Sequence, residues 1–318
     1  MPRQQRREEE DQAMLKNKRI LLTGITGNVG GYFAERLLPD NEVVALARFS
    51  REGEEERWRA KGVKTVKGDF SGSLDYVPDD CDYVIHSGAN TFPRSFEDGM
   101  RDNAEGSALL LAHCRKAKAF LHVSATAVYS ENPDPDHIYT ETDEAGQNNM
   151  GHYGGTKLAA EGAVRAMARQ FEVPAIICRL NVQYGDVSGN GTGGGLPSMQ
   201  LRQLLADEVV PFPKGRSCVH SVLHNEDMFD FIEPCLDAAA IQVPTVNWGG
   251  DEFVHMQQWM DLFAELSGKP ARIEYSDVFD YPTFRLDNTH RLEITGPCKV
   301  NWRDGMTRLY RSMAGAPA

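Results

Sequence analysis

The sequence lacks the features of several large protein classes. No apolar run of about 18 residues, the length that spans a bilayer as a helix, occurs in the 318 residues, so no membrane segment is predicted. Basic residues are few, since 34 Lys and Arg face 46 Asp and Glu and leave a net charge of -12. Their scatter argues against a nucleic-acid-binding surface, but does not exclude a local pocket for one small anionic ligand.

Cysteine is also scarce, and its positions suggest no pairing. The six cysteines lie far apart and form no CxxC motif. We therefore predict reduced thiols in a cytoplasmic protein, most of them buried as small apolar side chains, and we expect no metal site. The cysteines are Cys81, Cys114, Cys178, Cys218, Cys235 and Cys298.

The first 17 residues, MPRQQRREEEDQAMLKN, contain basic and acidic blocks but no apolar core. A secretory signal needs such a core, so this segment does not have the pattern of a signal peptide. We expect residues 1–17 to form a solvated, disordered arm.

Short apolar runs then alternate with helical patterns. The runs predict six strands, at 18–23, 42–47, 63–67, 82–86, 119–124 and 174–180, and helical patterns occupy 29–38, 103–117 and 152–171. Strands joined by helices form βαβ crossovers, which bring the strands side by side in parallel. The sequence therefore predicts an α/β fold with a doubly wound parallel sheet, covered by helices on both faces.

The stretch LLTGITGNVGGYFAERLL, at 21–38, places Gly24, Gly27 and Gly30 between the first strand and the first helix. Glycines there let a pyrophosphate approach the backbone, and the helix N-terminus offers unpaired N–H groups and a positive dipole end. The GxxGxxG spacing is tighter than the dinucleotide fingerprint GxGxxG. The triplet favours a dinucleotide site, while a tight turn with close helix packing would use the same residues.

A possible acid–base pair lies in HYGGTK, at 152–157. Tyr153 and Lys157 are four residues apart, so on a helix they share a face. A nearby ammonium favours tyrosinate, which lets the phenol exchange a proton with a substrate hydroxyl or carbonyl. The YxxxK spacing is common by chance, but here it follows the fifth strand, where a doubly wound sheet binds its ligands.

Further motifs complete a resemblance. They are TGITGNVG (23–30), HSGAN (86–90), Asn103, HVSATAVY (122–129), YGGTK (153–157), RLNVQYG (179–185), HSVLHNED (220–227) and NWGG (247–250). In this order and spacing they resemble the extended short-chain dehydrogenase/reductases, the NAD(P)-dependent epimerase/dehydratase group. The resemblance runs from residue 18 to about residue 310. It implies a Rossmann domain over 18–180 and a smaller substrate-binding lobe over 181–318, interleaved with it.

The resemblance implies roles for individual residues. Tyr153 would donate or accept the proton, and Lys157 would hold the nicotinamide ribose and lower the pKa of the tyrosine. The expected partners are a small-molecule substrate and a second copy of the chain, joined through the helices at 103–117 and 152–171. The implied cofactor-binding residues are Gly24, Thr26, Gly27, Asn28, Val29, Gly30, Arg48, Asp69, Phe70, Ser87, Gly88, Ala89, Asn103, Ser124, Tyr153 and Lys157.

The chain departs from the family where a Ser or Thr usually bonds the reacting oxygen, four residues before the Tyr of the VYG segment. That Tyr is Tyr129, so the position is Ala125. Of the flanking hydroxyls we prefer Thr126 to Ser124 as the catalytic substitute, because family dehydratases carry a substrate-facing acid at the position of Thr126. Both hydroxyls can instead make only local contacts.

The same segment disfavours one reaction. Family dehydratases place Asp-Glu where this chain has Thr126 and Ala127. Eliminating water needs an acid for the leaving hydroxyl and a base for the carbon proton. Neither side chain supplies them, so we do not expect a 4,6-dehydratase.

The end of the second strand bears on the cofactor. An acid there would accept from the 2′-hydroxyl of NAD, but the chain has Arg48, with Arg51 behind it. A guanidinium pairs with a 2′-phosphate, so NADP is preferred over NAD, unless Arg48 lies along the adenine or in solvent. An NADP enzyme favours net redox, with hydride transfer to a carbonyl or from a secondary alcohol. The alternatives are a nucleotide-sugar epimerase with retained NAD and a non-catalytic cofactor-binding protein.

Overall fold

A computed structural model describes residues 14–146, 151–187, 193–216, 218–277 and 281–315. At its centre is a seven-stranded sheet whose neighbouring strands are all parallel, in the order β12-β7-β5-β4-β1-β2-β3. This order confirms the predicted doubly wound, Rossmann-like sheet. Its strands are β1 (Arg19–Thr23), β2 (Glu42–Ala47), β3 (Lys64–Lys67), β4 (Tyr83–His86), β5 (Ala119–Ala125), β7 (Ala175–Leu180) and β12 (Thr245–Trp248).

The apolar strands are buried on both faces, because helices cover both sides of the sheet. Ile20 and Leu22 of β1 pack on one face with Phe33, and Leu21 packs on the other face with Leu110. Such alternation follows from the two-residue period of a strand. The helices of this half are α1 (Asn28–Leu37), α2 (Glu54–Ala60), α3 (Phe96–Gly99), α4 (Gly106–His113) and α5 (Gly151–Phe171), with a π-helix at Met100–Glu105 and a 3-10 turn at Thr126–Val128.

The second half adds an edge strand and a lobe. Strand β12 joins the main sheet beside β7, so residues beyond 180 also build the sheet. The lobe has its own core, which includes Trp259, Phe263 and Leu309. Its strands, with one from the loop after β5, are β6 (Ile138–Tyr139), β8 (Gln183–Tyr184), β9 (Val209–Pro213), β10 (Val219–Ser221), β11 (Leu223–His224), β13 (Phe253–His255), β14 (Arg272–Ser276) and β15 (Arg285–Leu286). Three later helices contribute to this core, α6 (Gly195–Leu205), α9 (Met256–Ser267) and α11 (Trp302–Ala314). The other three, α7 (Asn225–Asp230), α8 (Ile232–Asp237) and α10 (Thr289–Thr295), pack against the main sheet.

Two sequence predictions need correction. The helix predicted at 103–117 is a π-helix followed by α4, which ends at His113, because Cys114 leaves the helical region. The predicted arm does not hold for residues 14–17, since Met14 and Leu15 pack against the core and the Leu15 carbonyl accepts from Asn41. Residues 1–13 lie outside the described part of the chain. None of the helices in the described part combines the length and apolarity that a bilayer crossing needs.

A buried ion pair joins α5 to the sheet. Arg179 of β7 donates from Nε and Nη2 to the Glu161 carboxylate of α5, at 3.0 and 2.8 Å, and both side chains are buried. The Ser124 hydroxyl of β5 donates to the same carboxylate at 2.6 Å. A buried charge is tolerated only when paired and hydrogen-bonded, and this carboxylate is both.

The Glu161→Gln variant should lower the free energy of unfolding by about 3–5 kcal/mol, because it leaves the Arg179 guanidinium buried without its counter-charge. Urea unfolding followed by circular dichroism measures the change. The control is Arg94→Ala, which removes the exposed Arg94–Asp98 pair and should cost less than about 1 kcal/mol. Similar losses in the two variants would contradict the assigned role of the buried pair.

Candidate active site

A cavity of about 390 Å³ opens at the carboxyl edge of the central strands. The turn after β1, the ends of β2, β4 and β5, and the start of α5 enclose it, which is where a doubly wound sheet binds ligands. Most residues that the sequence assigns to the cofactor line this cavity. They are Gly24, Thr26, Gly27, Asn28, Val29, Gly30, Arg48, Asp69, Phe70, Ser87, Gly88, Ala89, Ser124 and Tyr153.

The glycine turn has no room for side chains at two positions. Gly24 has a φ of +79°, and a Cβ there would lie 2.8 Å from the backbone nitrogen of Gly88. A Cβ on Gly30 would lie 2.4 Å from the carbonyl oxygen of Gly24. Gly27 is the N-cap of α1 and makes no side-chain cap, and the start of this helix lines the cavity. This bare backbone and helix N-terminus fit a dinucleotide pyrophosphate.

The far end of the cavity holds a cation and an acid. Arg48 directly follows β2, is exposed, lines the cavity and makes no ion pair within the described residues. Phe49, at a φ of 43°, turns the chain after it and stays buried. The Asp69 carboxylate accepts from the backbone and hydroxyl of Ser71 at 3.0 and 2.9 Å, which orients it at the cavity wall.

Tyr153 and Lys157 lie one turn apart on α5. Tyr153 is half-buried and lines the cavity, whereas Lys157 is buried beneath it and does not. The Lys157 ammonium donates to the Val123 carbonyl at 2.8 Å and lies 3.3 Å from Nε2 of His122. Burial lowers the pKa of Lys157 to about 8, against the opposing effect of Glu161.

The expected lowering of the tyrosine pKa is not found. Burial raises the pKa of Tyr153 above its usual range, and Tyr281 adds to the effect. Desolvation disfavours the phenolate, and the Lys157 ammonium is directed at β5 instead of the phenol. Tyr153 is therefore a neutral phenol in this structure, the form that can donate a proton.

The two hydroxyls that flank Ala125 have different surroundings. Ala125 itself lines the cavity. The Ser124 hydroxyl is committed to Glu161, inside the fold. Thr126 is buried in the 3-10 turn and is not among the residues that line the cavity. The sequence-based preference for Thr126 thus gains no support from its position.

Asn103 lies outside the cavity and connects two elements that line it. It is buried, its Oδ1 accepts from the Asn90 backbone at 2.7 Å, and its Nδ2 donates to Thr156 Oγ1 on α5 at 3.0 Å. It joins the loop after β4 to the helix that carries Tyr153, and it does not line the cavity.

Several residues that line the cavity are not among those expected from the sequence. Asp102, in the π-helix, lines the cavity and accepts from Asn90 Nδ2 at 2.8 Å. Its position beside Asn103 was the available signal, but a π-helix cannot be read from helical periodicity. The further lining residues are Leu46, Ala47, Gly68, Asn90, Thr91, Val123, Leu180 and Gln183.

Residues 20–247 match the model of the NAD dependent epimerase/dehydratase family. The chain belongs to this family. A trifunctional UDP-glucose 4,6-dehydratase/UDP-4-keto-6-deoxy-D-glucose 3,5-epimerase/UDP-4-keto-L-rhamnose reductase of Arabidopsis thaliana is 25% identical over 94% of this chain and 47% of its own length. The chain thus spans about half the length of that relative. A UDP-glucose epimerase of Bacillus subtilis, described as uncharacterized, is 23% identical over 81% of this chain and 85% of its own length.

Solved structures show the same fold. The UDP-glucuronic acid 4-epimerase of Bacillus cereus, in complex with UDP-glucuronic acid and NAD, has a TM-score of 0.79 at 20% identity, over 93% of this chain and 99% of that one. A dTDP-glucose 4,6-dehydratase of Bacillus anthracis, in complex with NAD, has a TM-score of 0.80 at 18% identity, over 94% of this chain and 97% of that one.

The Gly30→Ala variant should weaken NAD(P)H binding at least about tenfold, because the new methyl group would overlap the Gly24 carbonyl and force the turn to shift. Quenching of protein fluorescence on titration measures the dissociation constant. The control is Gly162→Ala on α5, where nothing lies within 4 Å of the added Cβ. Unchanged binding in Gly30→Ala would remove the glycine turn from the dinucleotide site.

Proposed function

We propose that the protein is an NAD(P)-dependent oxidoreductase that moves a hydride between nicotinamide and a carbonyl or secondary alcohol of a small molecule. One observation carries the proposal: Tyr153 lines the cavity at the glycine turn, one helical turn before a buried lysine. Family membership supports an enzyme of nicotinamide chemistry.

The side chains divide the work. A bound nicotinamide supplies or accepts the hydride. Tyr153, a neutral phenol, donates the proton to the oxygen of a carbonyl as it becomes a hydroxyl, and takes it back in the reverse direction. Lys157 lies beneath the cavity, where its ammonium donates to the carbonyl of the lining residue Val123. From there its positive charge would stabilise the negative charge that develops on the phenol oxygen. Ala125 leaves the reacting oxygen without a serine or threonine donor at that position.

The segment that follows Ala125 lacks the side chains that a dehydratase needs. Thr126 and Ala127 are both buried, and neither is a carboxylic acid or a base. Water elimination needs both roles. These residues therefore favour hydride transfer, for which Tyr153 can handle the proton by itself, over elimination.

We propose NADP as the preferred cofactor. Arg48 lies where the second strand ends, on the cavity wall, and makes no ion pair within the described residues. A guanidinium in that position can pair with a 2′-phosphate, whereas NAD offers only a hydroxyl there. Use of NADP in turn favours net redox.

A second candidate is a nucleotide-sugar epimerase with retained NAD. The names of relatives and of structural neighbours favour it, since several are epimerases of UDP-sugars and the solved complexes contain NAD. A third candidate, a cofactor-binding protein without catalysis, rests on Ala125. NAD that stays with the purified protein would favour the epimerase, and binding of NADPH without turnover would favour the third candidate.

We also propose that the chain forms a homodimer in the cytoplasm. Leu109 on α4 and Ala166 on α5 are exposed apolar side chains on two neighbouring helices, the pair that the family resemblance assigns to the dimer contact. All six cysteines are free, and all but Cys298 are buried, as expected in a reducing compartment.

The Tyr153→Phe variant should reduce the rate of hydride transfer about 10²–10⁴-fold and leave the affinity for cofactor nearly unchanged, because it removes only the exchangeable proton. A screen of aldehydes, ketones and sugar nucleotides with NADPH, followed at the absorbance of the reduced nicotinamide, measures the rate. Tyr275→Phe, on the exposed strand β14, is the matched control. Equal rates in wild type and Tyr153→Phe would rule out the assigned role.

The Arg48→Ala variant should lower the preference for NADPH over NADH at least about tenfold, mainly by weakening NADPH, because one charge-assisted contact is lost. Dissociation constants of both cofactors give the ratio. Arg51→Ala serves as the control, since Arg51 is exposed and does not line the cavity. A wild-type protein that already prefers NADH would contradict the cofactor proposal and favour the epimerase.

A further inference from the structure

A polar side chain, that of a histidine, is buried in the middle of the sheet, and apolar packing alone does not explain its presence there. His122 lies on β5 between Leu121 and Val123, and it is fully buried. Its Nδ1 has no hydrogen-bond partner among the described residues. A buried polar atom left without a partner costs about 1–3 kcal/mol, so its retention needs a compensating interaction.

That interaction is with Lys157. The Lys157 ammonium lies 3.3 Å from Nε2 of His122 and donates a second hydrogen bond to the Val123 carbonyl at 2.8 Å. An ammonium can only donate, so Nε2 must be the acceptor and the imidazole proton must sit on Nδ1. In this tautomer the unpaired atom is the Nδ1–H, and the hydrogen bond of the ring is the one that Nε2 accepts from the lysine.

The imidazole stays neutral and so remains an acceptor. Burial lowers the pKa of His122 well below its usual range, and the charges of Lys157 and His86 add to the effect. His86, opposite it on β4, is 5.2 Å away between ring centroids and is itself neutral, with a pKa lowered to about 3 by burial. Near neutral pH, His122 is therefore not protonated at Nε2, and this nitrogen remains a hydrogen-bond acceptor for Lys157.

The other groups around the ammonium do not replace this acceptor. Glu161, one turn further along α5, raises the pKa of Lys157 by its charge, but its oxygens bond Arg179 and Ser124. Tyr153, one turn earlier, makes no hydrogen bond to the ammonium in this structure. With Val123 and His122 as its two acceptors, the ammonium has one further N–H for a ligand.

We propose that His122 is a positioning residue for Lys157: its neutral imidazole accepts a hydrogen bond that keeps the ammonium charged and fixed beneath the cavity, beside Val123. The inference rests on the proposed hydride-transfer function. His122 touches neither substrate nor cofactor in this assignment and acts only through Lys157.

The test compares a variant that keeps the acceptor with variants that remove it. In His122→Gln the side-chain amide oxygen can take the place of Nε2, whereas His122→Phe fills the space without an acceptor. His122→Leu is a second apolar variant in case the larger ring disturbs the sheet. Circular dichroism and thermal unfolding establish which variants are folded.

The readout is the pKa of Lys157, followed by NMR of protein labelled with ¹³C at the lysine Cε and assigned by the loss of one signal in Lys157→Arg. From about 8 in the wild type, the value should fall by about one unit in the apolar variants, as the loss of one charge-assisted hydrogen bond requires. His122→Gln should keep most of the wild-type value. The pH above which hydride transfer declines should move down by the same amount in the apolar variants.

An unchanged pKa of Lys157 in a folded apolar variant would overturn the inference, and so would equal shifts in His122→Gln and the apolar variants. The NMR titration needs no substrate. If the protein transfers no hydride at all, the proposed function fails, while the titration still decides whether His122 holds the lysine.

Discussion

The structure depends on how one helix places three polar side chains beside the sheet. Tyr153, Lys157 and Glu161 follow each other at intervals of four on α5, so they form one stripe, in which Lys157 and Glu161 are buried and Tyr153 is half-buried. Each side chain is accommodated in its own way. Glu161 pairs with Arg179, Lys157 donates to the end of β5, and Tyr153 remains a neutral phenol at the cavity wall. A shift of the helix by one residue would separate Lys157 and Glu161 from their partners at once.

The side chains of this stripe contribute both to the stability of the fold and to the candidate active site. The Glu161–Arg179 pair holds α5 against β7, and the same carboxylate takes the hydroxyl of Ser124. The hydroxyl that flanks Ala125 on one side therefore supports the position of the helix. Tyr153 is the member of this stripe that lines the cavity.

At the glycine turn, the shape of the cavity depends on main-chain atoms and not on side chains. Gly24 and Gly30 touch main-chain atoms so closely that any Cβ would displace the turn, and this bare surface suits a pyrophosphate whatever the reaction. Family membership and fold therefore support a dinucleotide site, but they do not by themselves determine the reaction. Fold alone does not decide function, and what distinguishes this chain is local: Arg48 after β2, and Ala125, Thr126 and Ala127 at the end of β5.

The sequence by itself determined what depends on neighbours along the chain. The buried strands, the α/β order, the glycine turn and the spacing of Tyr153 and Lys157 could all be predicted, because apolar runs, glycine and the helical period act locally. Only the tertiary structure decided where polar atoms point. It turned Ser124 toward Glu161, kept Thr126 out of the cavity, brought Asp102 into it through a π-helix, and placed His122 under Lys157. These outcomes depend on desolvation and on partners far away in sequence, which a local pattern does not contain.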